Sequence, residues 1–250
     1  MPTGEHDVQR FFFVHVMKTG GTSLLHQFHQ NFAPEEVYPN RELDMDAERF
    51  LQHLRVDYLL SLSEARRRTI RVYLGHFPYV ACELLRLDLV KLSLLREPVD
   101  RTVSLLQQLK RNGPKHKDST LEQIYDHPNV FSRLTANHQT KVFATRADDD
   151  LVDYNNLIVV DADRLALAKR NLAQIDVLGL TEQYDEFLDE LQSRFGWQFN
   201  RNVRANENVG VADASPALRR RIAEDNEFDL ELYEYARELV RQRKARVPRV

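Results

Sequence analysis

The chain has 250 residues, 42 % of them apolar and 29 % charged, a balance that suits one folded domain over 1–250 and excludes wholesale disorder. Acidic residues outnumber basic ones by 38 to 35 for a net charge of −3, which excludes nucleic-acid binding by bulk electrostatics but allows a local basic pocket. The single cysteine, Cys82, excludes an intramolecular disulfide and a cysteine-rich zinc site, and reads as a packing residue.

No run approaches the roughly 18 apolar residues of a membrane helix. The start MPTGEHDVQR lacks the basic and apolar regions of a signal peptide. With the cysteine usage, these features predict a cytoplasmic protein without a membrane span.

Phe11 to Val16 is a nearly continuous apolar run rich in β-formers, which predicts a buried strand. Leu24, Leu25, Phe28 and Phe32 are spaced as on a helix over 23–32. Residues 34–70 are polar, with helical stretches predicted at 47–54 and 62–69. Strands are predicted at 71–75 and 89–95, and Pro98 then opens a helix over 99–110. RNGPKHKDS, from Arg111, reads as an exposed loop. Helices are predicted at 119–126 and 129–144. NNLIVVDADRL predicts a fourth strand feeding a helix at 163–173, and DVLGL a short fifth strand before an amphipathic helix. The polar loop RNVRANENVGVADASP leads to a long charged helix from about Pro216 to Arg243. Strands alternating with helices imply parallel βαβ units in a three-layer αβα arrangement. In such sheets ligands gather at the carboxyl ends of the strands.

Chemistry-bearing residues fall at those ends. Lys18-Thr19-Gly20-Gly21-Thr22-Ser23 follows the first strand and opens a helix. Glycines let the backbone approach an anion, the first helical N–H groups are unpaired, and the helix dipole favours negative charge. Lys18 adds a full charge, and Thr19, Thr22 and Ser23 add hydroxyl donors. The nucleoside-triphosphate loop G-x-x-x-x-G-K-[ST] places its lysine after the glycines; here the lysine precedes them. In LLREPVDRTVSLL, Arg96 offers a planar fork at a strand end, Pro98 starts a helix, and Ser104 lies two turns in. Arg101 reads as structural, paired with Glu97 or Asp100. His76, in YLGHFPY, follows a strand and a glycine that leaves room for an acceptor; histidine titrates near neutral pH and suits a general base.

The order K-T-G-G-T-S resembles the 5′-phosphosulfate loop of sulfotransferases that use 3′-phosphoadenylyl sulfate (PAPS). The likeness is to the heparan-sulfate and related carbohydrate branch, where H-[IV]-x-K-T-G-G-T-[ST] is common. Many members carry proline where this chain has Met17. The family's R-x-P-x-x-R-x-x-S motif is met by Arg96, Pro98, Arg101 and Ser104. By resemblance, the fold is P-loop-like, the cofactor is PAPS, and Lys18 through Ser23 bind its 5′-phosphosulfate. Arg96 and Ser104 bind its 3′-phosphate, and His76, in the branch's G-H pair, is the base. The likeness thins beyond the N-terminal half, where ANHQTKVFA and LGLTEQYDEFLDEL also look like the branch. Arg201 and Arg204 fall where the family has a basic loop over the cofactor.

Sulfuryl transfer to a hydroxyl is an in-line displacement helped by positive charge on the leaving oxygens and by removal of the acceptor proton. It requires no metal, and the sequence offers no metal-ligand cluster. Lys18 and the loop amides supply the first aid and His76 the second, with Glu83 as a fallback base. The other histidines read as packing or surface residues: His15 inside a strand, His26 and His29 on the following helix. The expected acceptor is a hydroxyl of a carbohydrate, a lipid or a small molecule. The alternatives are a P-loop-type small-molecule kinase, for which Asp161 would serve as metal ligand, and a non-catalytic anion-binding module.

Overall fold

The computed structural model describes residues 8–40, 44, 55–151, 158–201 and 213–246. The chain runs β1 (Phe11–Val14), α1 (Gly21–Phe28), β2 (Val37–Tyr38), α2 (Val56–Ser61), α3 (Glu64–Thr69), β3 (Val72–Tyr73), α4 (Val80–Leu84) and β4 (Val90–Leu95). It continues with α5 (Pro98–Asn112), α6 (Leu121–Tyr125), α7 (Pro128–Val130), a π-helical turn (Phe131–Thr135), α8 (His138–Ala144), α9 (Ala162–Ala173) and β5 (Val177–Leu180). After a 3-10 turn at Thr181–Gln183 come α10 (Tyr184–Phe195), α11 (Pro216–Asp225) and α12 (Glu227–Arg246).

All five strands are parallel, in the order β2-β3-β1-β4-β5. β1 lies between β3 and β4, with Phe11 opposite both Val72 and Val90. It is covered on both faces, which is why its sequence is apolar without alternation. Phe11 and Phe13 face one way, into a cluster with Leu24 and Phe28 of α1, Phe187 and Leu191 of α10, and Trp197. Phe12 and Val14 face the other way, among residues of α2, α4, α8, α9 and α12. Helices therefore cover both faces of the sheet, compatible with the expected three layers. A third cluster joins Val103 and Leu106 of α5 to α6, α7 and α11. Cys82 is buried in the second face's core, as its reading as a packing residue requires. Among the described residues no helix is long and apolar enough to cross a membrane.

The sequence reading departs from the structure in several places. Val37–Tyr38 forms the edge strand β2, too short to show a pattern inside a polar stretch. Ile158 to Val160, in the segment read as a fourth strand, form none, and the residues before them lie outside the described part, as does the helix expected at 47–54. The helix expected at 129–144 is broken: the π-helical turn ends at Thr135, and Asn137 sits in the left-handed region at φ 49°. The long C-terminal helix is likewise two helices. Buried Asn226 divides them, donating to the Ile222 carbonyl and accepting the main-chain N–H of Asn137.

These breaks serve each other. Asp229, in the first turn of α12, accepts the main-chain N–H groups of Gln139 and Thr140 at 3.0 and 2.7 Å, and the Thr140 hydroxyl at 2.7 Å. It caps α8 from a distance, taking up donors that a helix start leaves unpaired.

The chain leaves β1 toward β2 and β3, whereas β4 leads the opposite way to β5. The connections above β1 and β4 therefore diverge, and a crevice opens between them at the strands' carboxyl ends.

Candidate active site

The segment after β1 forms one wall of that crevice. Lys18 adopts φ 70° and Gly20 φ 97°, so two residues of the turn are left-handed. A lysine there costs roughly 1–2 kcal/mol relative to ordinary backbone. The turn ends at Gly20, the N-cap of α1, and Leu24 makes an early intrahelical bond, to the Gly20 carbonyl at 3.2 Å. The first N–H groups of α1, from Gly21 onward, precede that bond and point out of the helix start. Lys18, Gly20, Gly21 and Ser23 line a cavity of about 520 Å³, a volume ordinary for a small-molecule site.

Thr19 departs from its expected role as a hydroxyl donor. It is fully buried and its hydroxyl donates to the Val16 carbonyl at 2.9 Å, so it can meet an anion only through its main chain. The Thr22 side chain lies outside the described part.

The opposite wall starts at Arg96, after β4. Its Nη1 donates to the Lys18 carbonyl at 3.3 Å. Gln139, itself buried, clamps the Arg96 main chain: its Oε1 accepts the N–H at 3.2 Å and its Nε2 donates to the carbonyl at 2.9 Å. Pro98 opens α5, and Glu97 caps it by accepting the Asp100 N–H. Ser104 and Gln108, one turn apart on α5, line the cavity with Arg96. The Thr181 hydroxyl lies 2.9 Å from the Thr19 carbonyl and 3.1 Å from that of Leu95, so the end of β5 ties the two walls together.

Arg101 pairs with neither Glu97 nor Asp100. It is fully buried and points beneath the crevice, donating from Nε to the Met17 carbonyl at 3.2 Å and from Nη2 to the Leu134 carbonyl at 2.6 Å. Asp100 pairs instead with Arg219. The Leu134 carbonyl is exposed to Arg101 by the π-helical turn, whose wider spacing leaves groups without the usual helical bond. Burial first, then the charges of Arg96, Arg111 and Arg101, push the Lys18 ammonium down to about 8.

His76 enters the same cavity from the end of β3, beside His15. Its Nδ1 lies 3.1 Å from the His15 carbonyl. A carbonyl only accepts, so Nδ1 carries the proton and Nε2 keeps its lone pair. Burial holds His76 below its ordinary value, opposed by that bond and reinforced by Arg101. The space beside Gly75 is not left open for an acceptor: a Cβ there would fall 2.2 Å from the Phe77 ring, so the glycine makes room for Phe77.

The remaining candidates lie elsewhere. Glu83 is exposed on α4, and Asp161 is exposed and caps α9 by accepting the Arg164 N–H; neither lines this cavity. Arg201 pairs with Asp189, and Arg204 lies outside the described residues. His26 and His29 are exposed. The sequence reading missed Gln139, Thr181 and the contact between His15 and His76. Thr181 alone left a signal, a hydroxyl residue directly after a strand.

No family model matches the chain. It is 29 % identical over 181 residues to heparan-sulfate 6-O-sulfotransferase 2 of Danio rerio, covering 61 % of this chain and 38 % of the relative. The likeness is to a sulfotransferase. The chain thus spans well under two thirds of that relative's length, and the similarity suggests a sulfotransferase relationship for the part that aligns.

Proposed function

We propose that the chain is a sulfotransferase that moves a sulfuryl group from PAPS to a hydroxyl of a carbohydrate, lipid or small molecule. The observation that carries this reading is the joining of the Lys18 turn and Arg96 across one cavity that also receives His76. The donor set suits a ligand with two separate anionic groups. Lys18, Ser23 and the amides of Gly20, Gly21 and Thr22 stand at one place, and Arg96 with Ser104 at another. PAPS bound there supplies an activated sulfuryl group on a bisphosphate leaving group.

In this reading Lys18 and the first turn of α1 hold the 5′-phosphosulfate and stabilise charge growing on the leaving oxygens. Thr19 contributes through its main chain. Arg96 and Ser104 hold the 3′-phosphate. His76 Nε2 takes the proton of the acceptor hydroxyl as its oxygen attacks. The similarity to a heparan-sulfate sulfotransferase supports the reaction class; it leaves the acceptor to be found by assay.

Calorimetric titration with 3′,5′-bisphosphoadenosine, and separately with ATP and magnesium, tests the reading. Micromolar or tighter binding of the bisphosphate with weak binding of ATP is expected. Tight, magnesium-dependent ATP binding with no preference for the 3′-phosphate would move the chain to the phosphoryl-transfer class. Transfer of labelled sulfate from PAPS to a panel of hydroxyl compounds then identifies the acceptor.

A further inference from the structure

We infer that His15 is a positioning residue, whose stacked imidazole and main-chain carbonyl together lock the ring of His76 with Nδ1 protonated and Nε2 turned to the cavity as a neutral base. The inference rests on the proposed role of His76 for its catalytic consequence, but the lock is a property of the two rings and is tested apart from it.

The rings lie 4.0 Å apart between centroids with 28° between planes, a face-to-face stack. The residue that supplies the stacking ring also supplies the carbonyl that accepts Nδ1–H of His76 at 3.1 Å. One contact fixes the ring plane and the other the rotation within it, so the imidazole keeps neither freedom. His15 is anchored in turn. Its ring lies beside the Leu74 main chain, two residues before His76, and over the start of α1. A Cβ at Gly21 would fall 1.7 Å from His15 Nε2 and 2.3 Å from Cδ2, so the second glycine of K-T-G-G-T-S is needed for the stack.

The arrangement also bears on charge. A proton on either ring places positive charge beside the other, and the groups acting on the pair add to this. Arg101 acts on His76, the buried imidazole of His138 lies near His76, and the α1 N-terminus faces His15. Both rings are held below their ordinary value, His15 well below, with burial the largest cause for each. A neutral stacked pair is the state this surrounding favours.

Nitrogen-15 NMR of the histidine rings in the whole chain tests the lock without an acceptor. In the native protein His76 should appear as a single Nδ1–H tautomer. In His15→Asn, which keeps the carbonyl but removes the stacked ring that holds the imidazole against it, His76 should average between tautomers, and its titration midpoint should rise by about half a pH unit or more. In His15→Phe, which keeps a flat ring over His76, the tautomer should survive. Unchanged tautomer and midpoint in His15→Asn would overturn the inference. If that variant fails to fold, Gly21→Ala, which must displace the His15 ring, is read by the same two criteria. Sulfuryl transfer by His76→Ala is a separate readout: transfer retained there removes the base assignment and leaves the tautomer result standing.

Discussion

Arg96 donates to the main-chain carbonyl of Lys18 at 3.3 Å, so the two cationic side chains rise from opposite walls of one crevice that are bonded to each other. Holding two like charges close is unfavourable, and Arg96 is the largest of the charges that depress the Lys18 ammonium. Anionic groups bound beside each of them would relieve that repulsion. The strained turn at Lys18 and Gly20 keeps the arrangement in place before any ligand arrives.

Removing Arg96 should therefore cost affinity selectively. Arg96→Ala is expected to weaken 3′,5′-bisphosphoadenosine by about 2–3 kcal/mol, roughly 30- to 150-fold, as for a lost charge-assisted hydrogen bond. Adenosine 5′-phosphosulfate, which lacks the 3′-phosphate, should change far less. Paired calorimetric titrations of both ligands check this, and equal losses would place Arg96 away from the 3′-phosphate.

Lys18 predicts a pH dependence of the opposite wall. Its free-site value is about 8, and a bound anion must raise it. A group whose value rises on binding contributes fully below its free value and is lost as pH climbs. Bisphosphate affinity should thus fall as pH climbs through 8 to 9. In Lys18→Ala the affinity should be lower by about tenfold or more, and the decline through that window should disappear. Titrations at pH 6.5, 7.5 and 9 in both proteins separate the two effects.

Gln139 touches the main chain of Arg96 twice and is not among the residues that line the cavity. Gln139→Ala should destabilise the fold by about 1–3 kcal/mol, since two buried main-chain groups lose partners. It should also weaken bisphosphate several-fold by releasing the Arg96 main chain. Urea denaturation and calorimetry together check the pairing of effects; a stability loss with native affinity would show that Arg96 is held by β4 alone.

What the sequence made legible follows from the range of the interactions. The Lys18 turn, the start of α5 at Pro98 and the apolar run of β1 are local features, so their place at strand ends could be read from neighbours in the chain. Gln139 clamps a residue 43 positions away, Asp229 caps a helix 90 positions away, and the stack of His15 on His76 spans 61 positions. Such contacts leave no local pattern. The breaks at Asn137 and Asn226 were hidden for a related reason. Each asparagine is an ordinary polar residue until the other is beside it, and then the Asn137 N–H meets the Asn226 Oδ1 at 2.7 Å. Arg101 was misplaced because adjacent carboxylates look like its partners in the sequence, whereas burial sends it to two carbonyls instead.

One buried and two half-buried histidines predict acid sensitivity of the fold. His15, His76 and His138 are each held below the ordinary value near 6.5, with burial as the largest cause. In the unfolded chain they take up protons below about pH 6.5. The unfolded state then binds more protons than the folded one, so stability is fully present above that pH and is lost as pH falls toward the folded values. Each neutral histidine contributes up to about 1.4 kcal/mol per pH unit in that window. Asp229, raised by burial, works in the opposite direction above about pH 4 and reduces the net slope. The urea midpoint should fall steadily from pH 7 to pH 5, and His138→Phe should flatten the decline by about one proton. A midpoint independent of pH across that range would mean that these imidazoles take up protons in the folded chain as readily as in the unfolded one.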